Sequence, residues 1–255
     1  MTKHSCIALL MAGGEGSRMA ATRPGTPKPL VKVAGHPLID MLLQQIWSLG
    51  IQEVHVAVRA GARKILDHLR RLSANTGREI RFIVEEEPLG TIGALAEFRN
   101  RSETVLVMNG DLLSAIDLED LLANHAGTGA DLTITTHYEH SRLELGEVRV
   151  DESLRVQDYL EKPVKRYRIS SGVYVVGPAV LSLFEETSWK PFPDLVHQAI
   201  AEGLHIQAFP HDSAWIDVNH EEDLLHAQEL YDSDPAAFQL AWRQLLPDSG
   251  GRSDS

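Results

Sequence analysis

Cysteine is nearly missing: the 255-residue chain has one, Cys6, which excludes an intramolecular disulfide and any cysteine-paired zinc site. Long apolar runs are missing too. None approaches the about 20 residues of a membrane span, and the first, Cys6 to Ala12, ends in Gly13-Gly14 without a small-residue cleavage pattern. A soluble, cytoplasmic protein with no membrane partner is expected. Basic residues are few: 24 Lys plus Arg face 36 Asp plus Glu, a formal net charge of −12 with His neutral. Such a surface repels nucleic-acid phosphates and anionic lipid, while a local basic pocket for a small anion stays open. The composition is otherwise ordinary, 43% hydrophobic and 24% charged, so a sizeable core is available to one large domain or two small ones. No residue pattern marks a self-association patch, which leaves a homo-oligomer open.

Short apolar runs alternate with segments of helical period. Strands are expected at Cys6–Met11, Glu53–Val58, Glu79–Val84 and Glu103–Met108. Between them, Leu38, Ile39, Leu42, Leu43, Ile46 and Leu49 repeat at helical spacing before Gly50. Ile65, Leu66, Leu69 and Leu72 do the same before Asn75-Thr76-Gly77. This rhythm predicts a parallel sheet covered on both faces.

After Asp111 the texture changes. Ala130–Tyr138 alternates like a half-exposed strand, Glu147–Asp151 and Val156–Leu160 read as a hairpin, and Ile169–Val176 reads as a further strand. Pro178 suits the first turn of a helix. Pro193–Glu202 predicts a helix stopped by Gly203, Leu204–Phe209 a strand, and His220–Tyr231 and Ala236–Leu246 helices. The Gly, Ser and Asp tail from 248 to 255 is expected to be disordered. With no repeat and no low-complexity linker, the fold expected over 1–247 is a single three-layer α/β domain with a mixed, mainly parallel central sheet.

Met11-Ala12-Gly13-Gly14-Glu15-Gly16-Ser17-Arg18 follows the first strand directly. Glycines let backbone N–H groups close around phosphate oxygens, because no Cβ blocks the approach; the same glycines also suit a plain turn. A dinucleotide fingerprint needs Gly where Met19 stands, and a Walker A loop needs Gly-Lys-Ser/Thr where Gly16-Ser17-Arg18 stands, so neither applies. Further on, Pro27 and Pro29 stiffen the backbone around Lys28 and deny it a helix. A cation held that rigidly can offset phosphoryl charge without reorganising.

Together, Gly13-Gly14-x-Gly16-x-Arg18 and Pro27-Lys28-Pro29 resemble the signature of sugar-1-phosphate nucleotidyltransferases, and the likeness runs to about Gln228. The resemblance implies a Rossmann-like nucleotidyltransferase fold with a nucleotide-binding half (1–112), a sugar-phosphate half (113–230) and a C-terminal helix (231–247). It implies that Met11, Ala12, Gly13, Gly14, Gly16 and Ser17 wrap a nucleoside triphosphate, and that Arg18 and Lys28 stabilise the transition state. Glu85-Glu86-Glu87-Pro88-Leu89-Gly90-Thr91 is similar to the base-binding segment of mannose-1-phosphate guanylyltransferases, assigning Glu85, Pro88, Gly90 and Thr91 to the nucleotide. Guanine offers two adjacent donors, which suit one carboxylate accepting bidentately, and Glu85 is the candidate.

Val105-Leu106-Val107-Met108 leads into Asn109-Gly110-Asp111, at the carboxyl end of an expected parallel strand, where α/β sheets bind ligands. By resemblance Asn109 and Gly110 touch the nucleotide, and Asp111 is a magnesium ligand. Asp217 in Trp215-Ile216-Asp217-Val218 is the second, a carboxylate count that suits Mg²⁺. Gly146, Glu161, Ser170, Ser171 and Gly172 match the sugar side, with Lys162 holding the sugar phosphate. Two positions depart from the family pattern: Ser170 stands where Asn is usual, and Asn219 where Gly is usual. His137 and His140 face opposite sides of a strand, which argues against a shared metal.

The implied reaction is NTP + sugar 1-phosphate → NDP-sugar + pyrophosphate, with GTP the favoured donor. An acceptor phosphate oxygen is already an anion, so no general base is required. A uridylyl-, thymidylyl- or cytidylyltransferase, a glycosyltransferase, and a non-catalytic nucleotide or sugar-phosphate sensor are the alternatives.

Overall fold

A computed structural model describes residues 6–14, 26–87, 89–185 and 191–239. The apolar run after the N-terminus forms β1 (Cys6–Met11), whose four central residues are buried. Contrary to the expectation that its prolines deny Lys28 a helix, Lys28–Leu30 forms a short 3₁₀ helix, with a proline in its first positions where no N–H is needed; a small antiparallel pair follows, β2 (Lys32–Val33) and β3 (His36–Pro37). Helix α1 (Leu38–Ser48) follows, then β4 (Val54–Arg59), α2 (Arg63–Thr76), β5 (Arg81–Glu85) and β6 (Thr104–Asn109). Gly50 and Gly77 take positive φ just beyond the two helices, as their stop positions predict.

The second half adds β7 (Leu112–Ser114), α3 (Leu118–Thr128), β8 (Leu132–Arg142), β9 (Glu147–Val150), β10 (Val156–Leu160) and β11 (Val164–Val176). It closes with α4 (Pro178–Leu181), α5 (Phe192–Ala201), β12 (Ile206–Pro210), β13 (Trp215–Asp217), α6 (Glu221–Ser233) and α7 (Pro235–Gln239). The helix expected from Ala236 continues outside the described residues, as does the tail from 248 to 255.

The main sheet has seven strands in the order β12-β8-β11-β6-β1-β4-β5. β11 is antiparallel to both neighbours, and every other pairing is parallel. The α/β expectation with a mixed, mainly parallel sheet therefore holds. Alternation along β1 divides the core. Ala8 and Leu10 face one layer, packed with Ile39, Leu42 and Ile46 of α1. Ile7 and Leu9 face the other, with Leu95 and the α5 residue Leu195. A third cluster joins Val33, Leu38, Leu113, Ile216 and Leu224, clamping α6 over the β7–β13 pair.

Two features differ from the expected pattern. Residues 112–128, which carry no clear apolar period, form β7 and α3; Asp117 caps the helix by accepting from the Asp120 N–H at 2.9 Å, and Gly129 ends it in the left-handed region. In addition, β8 and β11 run on beyond the sheet as a two-stranded arm, pairing Arg142 with Val164 at its far end. The arm has no core over it, so its residues show no buried alternation.

Candidate active site

The site begins where β1 and β6 end side by side, with Met11 in register with Asn109. Gly110 donates its N–H to the Met11 carbonyl at 2.9 Å, and a Cβ there would lie 2.9 Å from that same oxygen. Only glycine allows this crossing, and it sets Asp111 just beyond the strand ends. β7 then pairs antiparallel with β13, placing Asp217 opposite Leu112, and the Val218 N–H reaches the Asp111 carbonyl at 3.1 Å. Two carboxylates far apart in sequence become neighbours.

Lys28 lies between them. Its Nζ is 2.6 Å from Asp111 Oδ2, 3.4 Å from Asp217 Oδ1 and 2.7 Å from Asn219 Oδ1. Pro27 and Pro29 flank it, and Pro29 is buried, so the backbone under the ammonium is fixed. Burial, then the Asp217 charge, pushes the Asp111 carboxyl above its usual range, with Lys28 opposing. Asp111 Oδ1 is buried with no hydrogen-bond partner among the described residues. An orphaned carboxylate oxygen beside a second carboxylate fits a hard cation such as Mg²⁺, which takes one or two carboxylates and completes its shell with phosphate oxygens and water. Among the described residues no three His, Cys, Asp or Glu side chains gather as an all-protein metal cage.

On the nucleotide side, Gly13 and Gly14 follow β1, and the Ala12 N–H bonds the Ala57 carbonyl at 2.8 Å. A Cβ on Gly13 would sit 3.2 Å from Glu85 Oε2. Glu85 ends β5 only 7% exposed, and its Oε1 has no hydrogen-bond partner among the described residues. Burial pushes its carboxyl above the usual range, with Arg59 opposing. Gly90 takes φ +84°, and the Thr91 hydroxyl accepts the Phe192 N–H at 3.0 Å. Gly16, Ser17, Arg18 and Pro88 lie outside the described residues.

The residues expected on the sugar side fall into two groups. Glu147 pairs with Leu160, which brings Gly146 beside Glu161 at the base of the β9–β10 hairpin. A Cβ on Gly146 would collide with the Tyr159 hydroxyl. Lys162 takes φ +44° and meets Glu144 at 3.7 Å. The second group is a bulge in β11: Gly172 takes φ +73° against the Asn109 side chain, and the Ser170 hydroxyl reaches Tyr174 Oη at 3.2 Å.

Ser171 points away from Ser170. It is fully buried, with Oγ 2.9 Å from His137 Nδ1 and 2.7 Å from His211 Nε2, so its hydroxyl is spent on the opposite face from Ser170. Its carbonyl instead accepts the Trp215 Nε1–H at 2.7 Å, bracing the residue two before Asp217. A cleft of about 510 Å³ lined by His137, His211, Trp215 and Asp217 opens there. Asn219 and Tyr174 are site residues that motif reading did not single out as contacts. Asn219 stands two residues after Asp217, a spacing that was visible, whereas Tyr174 reads simply as strand.

A glycine turn, a fixed cation and paired carboxylates at the carboxyl ends of parallel strands define an α/β protein of nucleotide-handling architecture. Residues 7–234 match the nucleotidyl transferase family model, and the chain belongs to that family. Mannose-1-phosphate guanylyltransferase 1 of Arabidopsis thaliana is 30% identical over 237 residues, covering 88% of this chain and 64% of that protein. The mannose-1-phosphate guanyltransferase of Pichia angusta is 30% identical, covering 88% of this chain and 63% of its own length. The chain thus spans less than two thirds of the length of these curated relatives. Among solved structures, HddC from Yersinia pseudotuberculosis superposes with a TM-score of 0.66 at 24% identity, covering 88% of this chain and 98% of that one. The inositol-1-phosphate CTP transferase from T. maritima gives 0.66 at 18% identity, covering 90% and 97%. Both likenesses show the shared fold. No helix among the described residues is long and apolar enough to cross a membrane.

Proposed function

We propose that the protein transfers GMP from GTP to a sugar 1-phosphate, giving a nucleotide sugar and pyrophosphate. The observation that carries this reading is Lys28, locked between Asp111 and Asp217 at the ends of β1 and β6. An oxygen of the acceptor phosphate attacks the α-phosphorus of the nucleotide. The α–β bridging P–O bond breaks as the new P–O bond forms, and pyrophosphate leaves with the electron pair. The barrier is repulsion between two polyanions, and Lys28 is held where it offsets charge without reorganising. Lys162, on the arm, is assigned to the acceptor phosphate, and Arg18 to the triphosphate by its motif. Asp111 and Asp217 would hold Mg²⁺, whose contribution when bound is neutralisation of phosphate charge.

Glu85 supports guanine as the base. A buried carboxylate with an unpaired oxygen suits the two adjacent donors of that ring, whereas uracil or thymine offers one N–H between carbonyls. The names of the curated relatives favour the same donor. The nucleotide is assigned to 1–112 and the acceptor to 113–230. With a nucleoside triphosphate as donor, the cytoplasm is the proposed compartment.

The test is pyrophosphate release with Mg²⁺, each of GTP, UTP, dTTP, CTP and ATP, and a panel of sugar 1-phosphates. Release that needs both substrates and is fastest with GTP supports the reading. Release fastest with UTP or dTTP removes the Glu85 assignment and keeps the class. GTP binding with no release for any pair would point to a sensor or to an acceptor outside the panel.

A further inference from the structure

One face of β11 carries the residues that lead away from the proposed reaction centre. Tyr174 is close enough to Asp111 and Asp217 to feel both charges. Ser170 bonds Tyr174, and Arg168 and Arg166 follow on the same face of the arm. Alternate residues of a strand are separated by about 7 Å. Arg168 folds back along this line. Its Nη1 donates to Thr136 Oγ1 at 3.1 Å, and Thr136 is the cross-strand partner of Ser170, so the guanidinium lies directly beside Ser170.

The two arginines are organised by one ring. Both guanidinium carbons are within 4.4 Å of the Tyr138 ring centroid, Arg166 at 3.3 Å, and Arg168 also donates to the Tyr138 hydroxyl. Stacking of this kind holds a guanidinium in a fixed plane while leaving N–H groups free for an anion. Several other cations on or near the arm have carboxylates: Lys162 meets Glu144, Lys165 meets Glu147 at 2.9 Å, and Arg149 meets Glu147. Among the described residues, neither Arg166 nor Arg168 has a carboxylate within ion-pair distance. Two adjacent like charges left unneutralised in a chain of net charge −12 are a local excess that an incoming anion would relieve.

We infer that the acceptor bears a second anionic group, a carboxylate or a phosphate on the part of the sugar remote from its reacting phosphate, and that Arg168 and Arg166 bind it. This rests on the nucleotidyl-transfer reading and names the substrate class for it. The forked guanidinium suits either oxyanion, and Ser170, shorter than the usual Asn, leaves room for the Arg168 head beside the sugar.

The experiment measures kcat/KM for pyrophosphate release with three matched acceptors: mannose 1-phosphate, mannuronic acid 1-phosphate and mannose 1,6-bisphosphate. The expected result is a preference of at least about tenfold for one anionic acceptor over the neutral parent, as for a charge-assisted hydrogen-bonded contact. Which anion is preferred separates a carboxylate from a phosphate. In Arg168→Gln and Arg166→Gln the anionic-to-neutral ratio should fall about tenfold, chiefly through KM, and Arg168→Lys should restore part of it. The ratio is taken within each variant, so a general loss of folded protein does not alter it. Equal or better use of the neutral acceptor, or equal loss on all three in the Gln variants, overturns this inference alone. No release with any donor and acceptor overturns the transfer reading as well.

Discussion

Lys28 is bound by three oxygens from two distant segments of the chain, and its backbone is braced by prolines on either side. The rigidity matters because a cation already in position stabilises developing phosphate charge without first shedding water. Lys28→Ala should lower turnover by about 10²–10³, the size seen for loss of one preorganised donor; a steady-state assay at saturating substrates that returns near wild-type turnover removes Lys28 from catalysis. Glu85 makes a different prediction, because burial pushes its carboxyl up and the folded state therefore holds its proton more tightly than the unfolded chain. The stability it contributes is complete below the unfolded value of about 4.3 and is lost as pH rises through the raised folded value. Glu85→Gln should raise the Tm at pH 7, because the neutral amide avoids the buried charge. That gain should vanish near pH 4 while GTP affinity falls at least about tenfold. Calorimetry at the two pH values checks the first half, and GTP titration the second.

At the scale of elements, α3 and β8 share a buried polar contact: His125 Nδ1 is 2.8 Å from the Thr133 hydroxyl, and both residues are buried. Burial holds the His125 imidazole below its ordinary range, with Asp131 opposing. The unfolded chain takes up this proton more readily, so the stabilisation is present above about pH 6.5 and is lost as pH falls through the lowered folded value. Melting curves between pH 7 and 5 should show an acid-side loss, at about 2–4 °C per kcal/mol, that is smaller in His125→Gln; parallel curves for the two proteins would contradict it. What was readable in the sequence tracks how each element is held. β1, α1, α2, β4 and β6 are held by dense apolar patterns, and the expected spans agree with them to within a residue or two. The helix α3 buries little beyond Leu118, Leu121 and His125, so its local period is faint, though its Asp117 cap and Gly129 stop stood in the sequence. The β7–β13 pairing joins two three-residue strands from opposite ends of the second half, and no local pattern encodes a partner that distant. Lys28, Asp111 and Asp217 were visible by motif, but their convergence depends on that pairing. The surroundings of Ser171 were not legible for a related reason: the bulge that turns it toward His137 and His211 is a property of register, not of composition.

For the whole molecule, the cluster of Lys28, Asp111 and Asp217 sets a conflict between stability and binding. Burial and the neighbouring Asp217 both disfavour the Asp111 charge, and one of its oxygens has no partner among the described residues. Such a group is costly in the folded chain, and under the proposed reading it becomes useful when a cation and a triphosphate arrive. The surface as a whole adds to this, since a net charge of −12 repels a polyanionic nucleotide until a cation accompanies it. GTP alone should therefore stabilise the protein little, whereas GTP with Mg²⁺ should stabilise it strongly. At about one hundred times the dissociation constant, linkage gives about 2.7 kcal/mol, a rise of about 5–10 °C in Tm for a chain of this length. In Asp217→Asn most of that rise should disappear, even though the variant keeps Lys28 paired with Asp111. Differential scanning fluorimetry with and without Mg²⁺ separates the outcomes: a full rise in the variant would move the metal away from Asp217, and a full rise with GTP alone would remove the metal from nucleotide binding altogether.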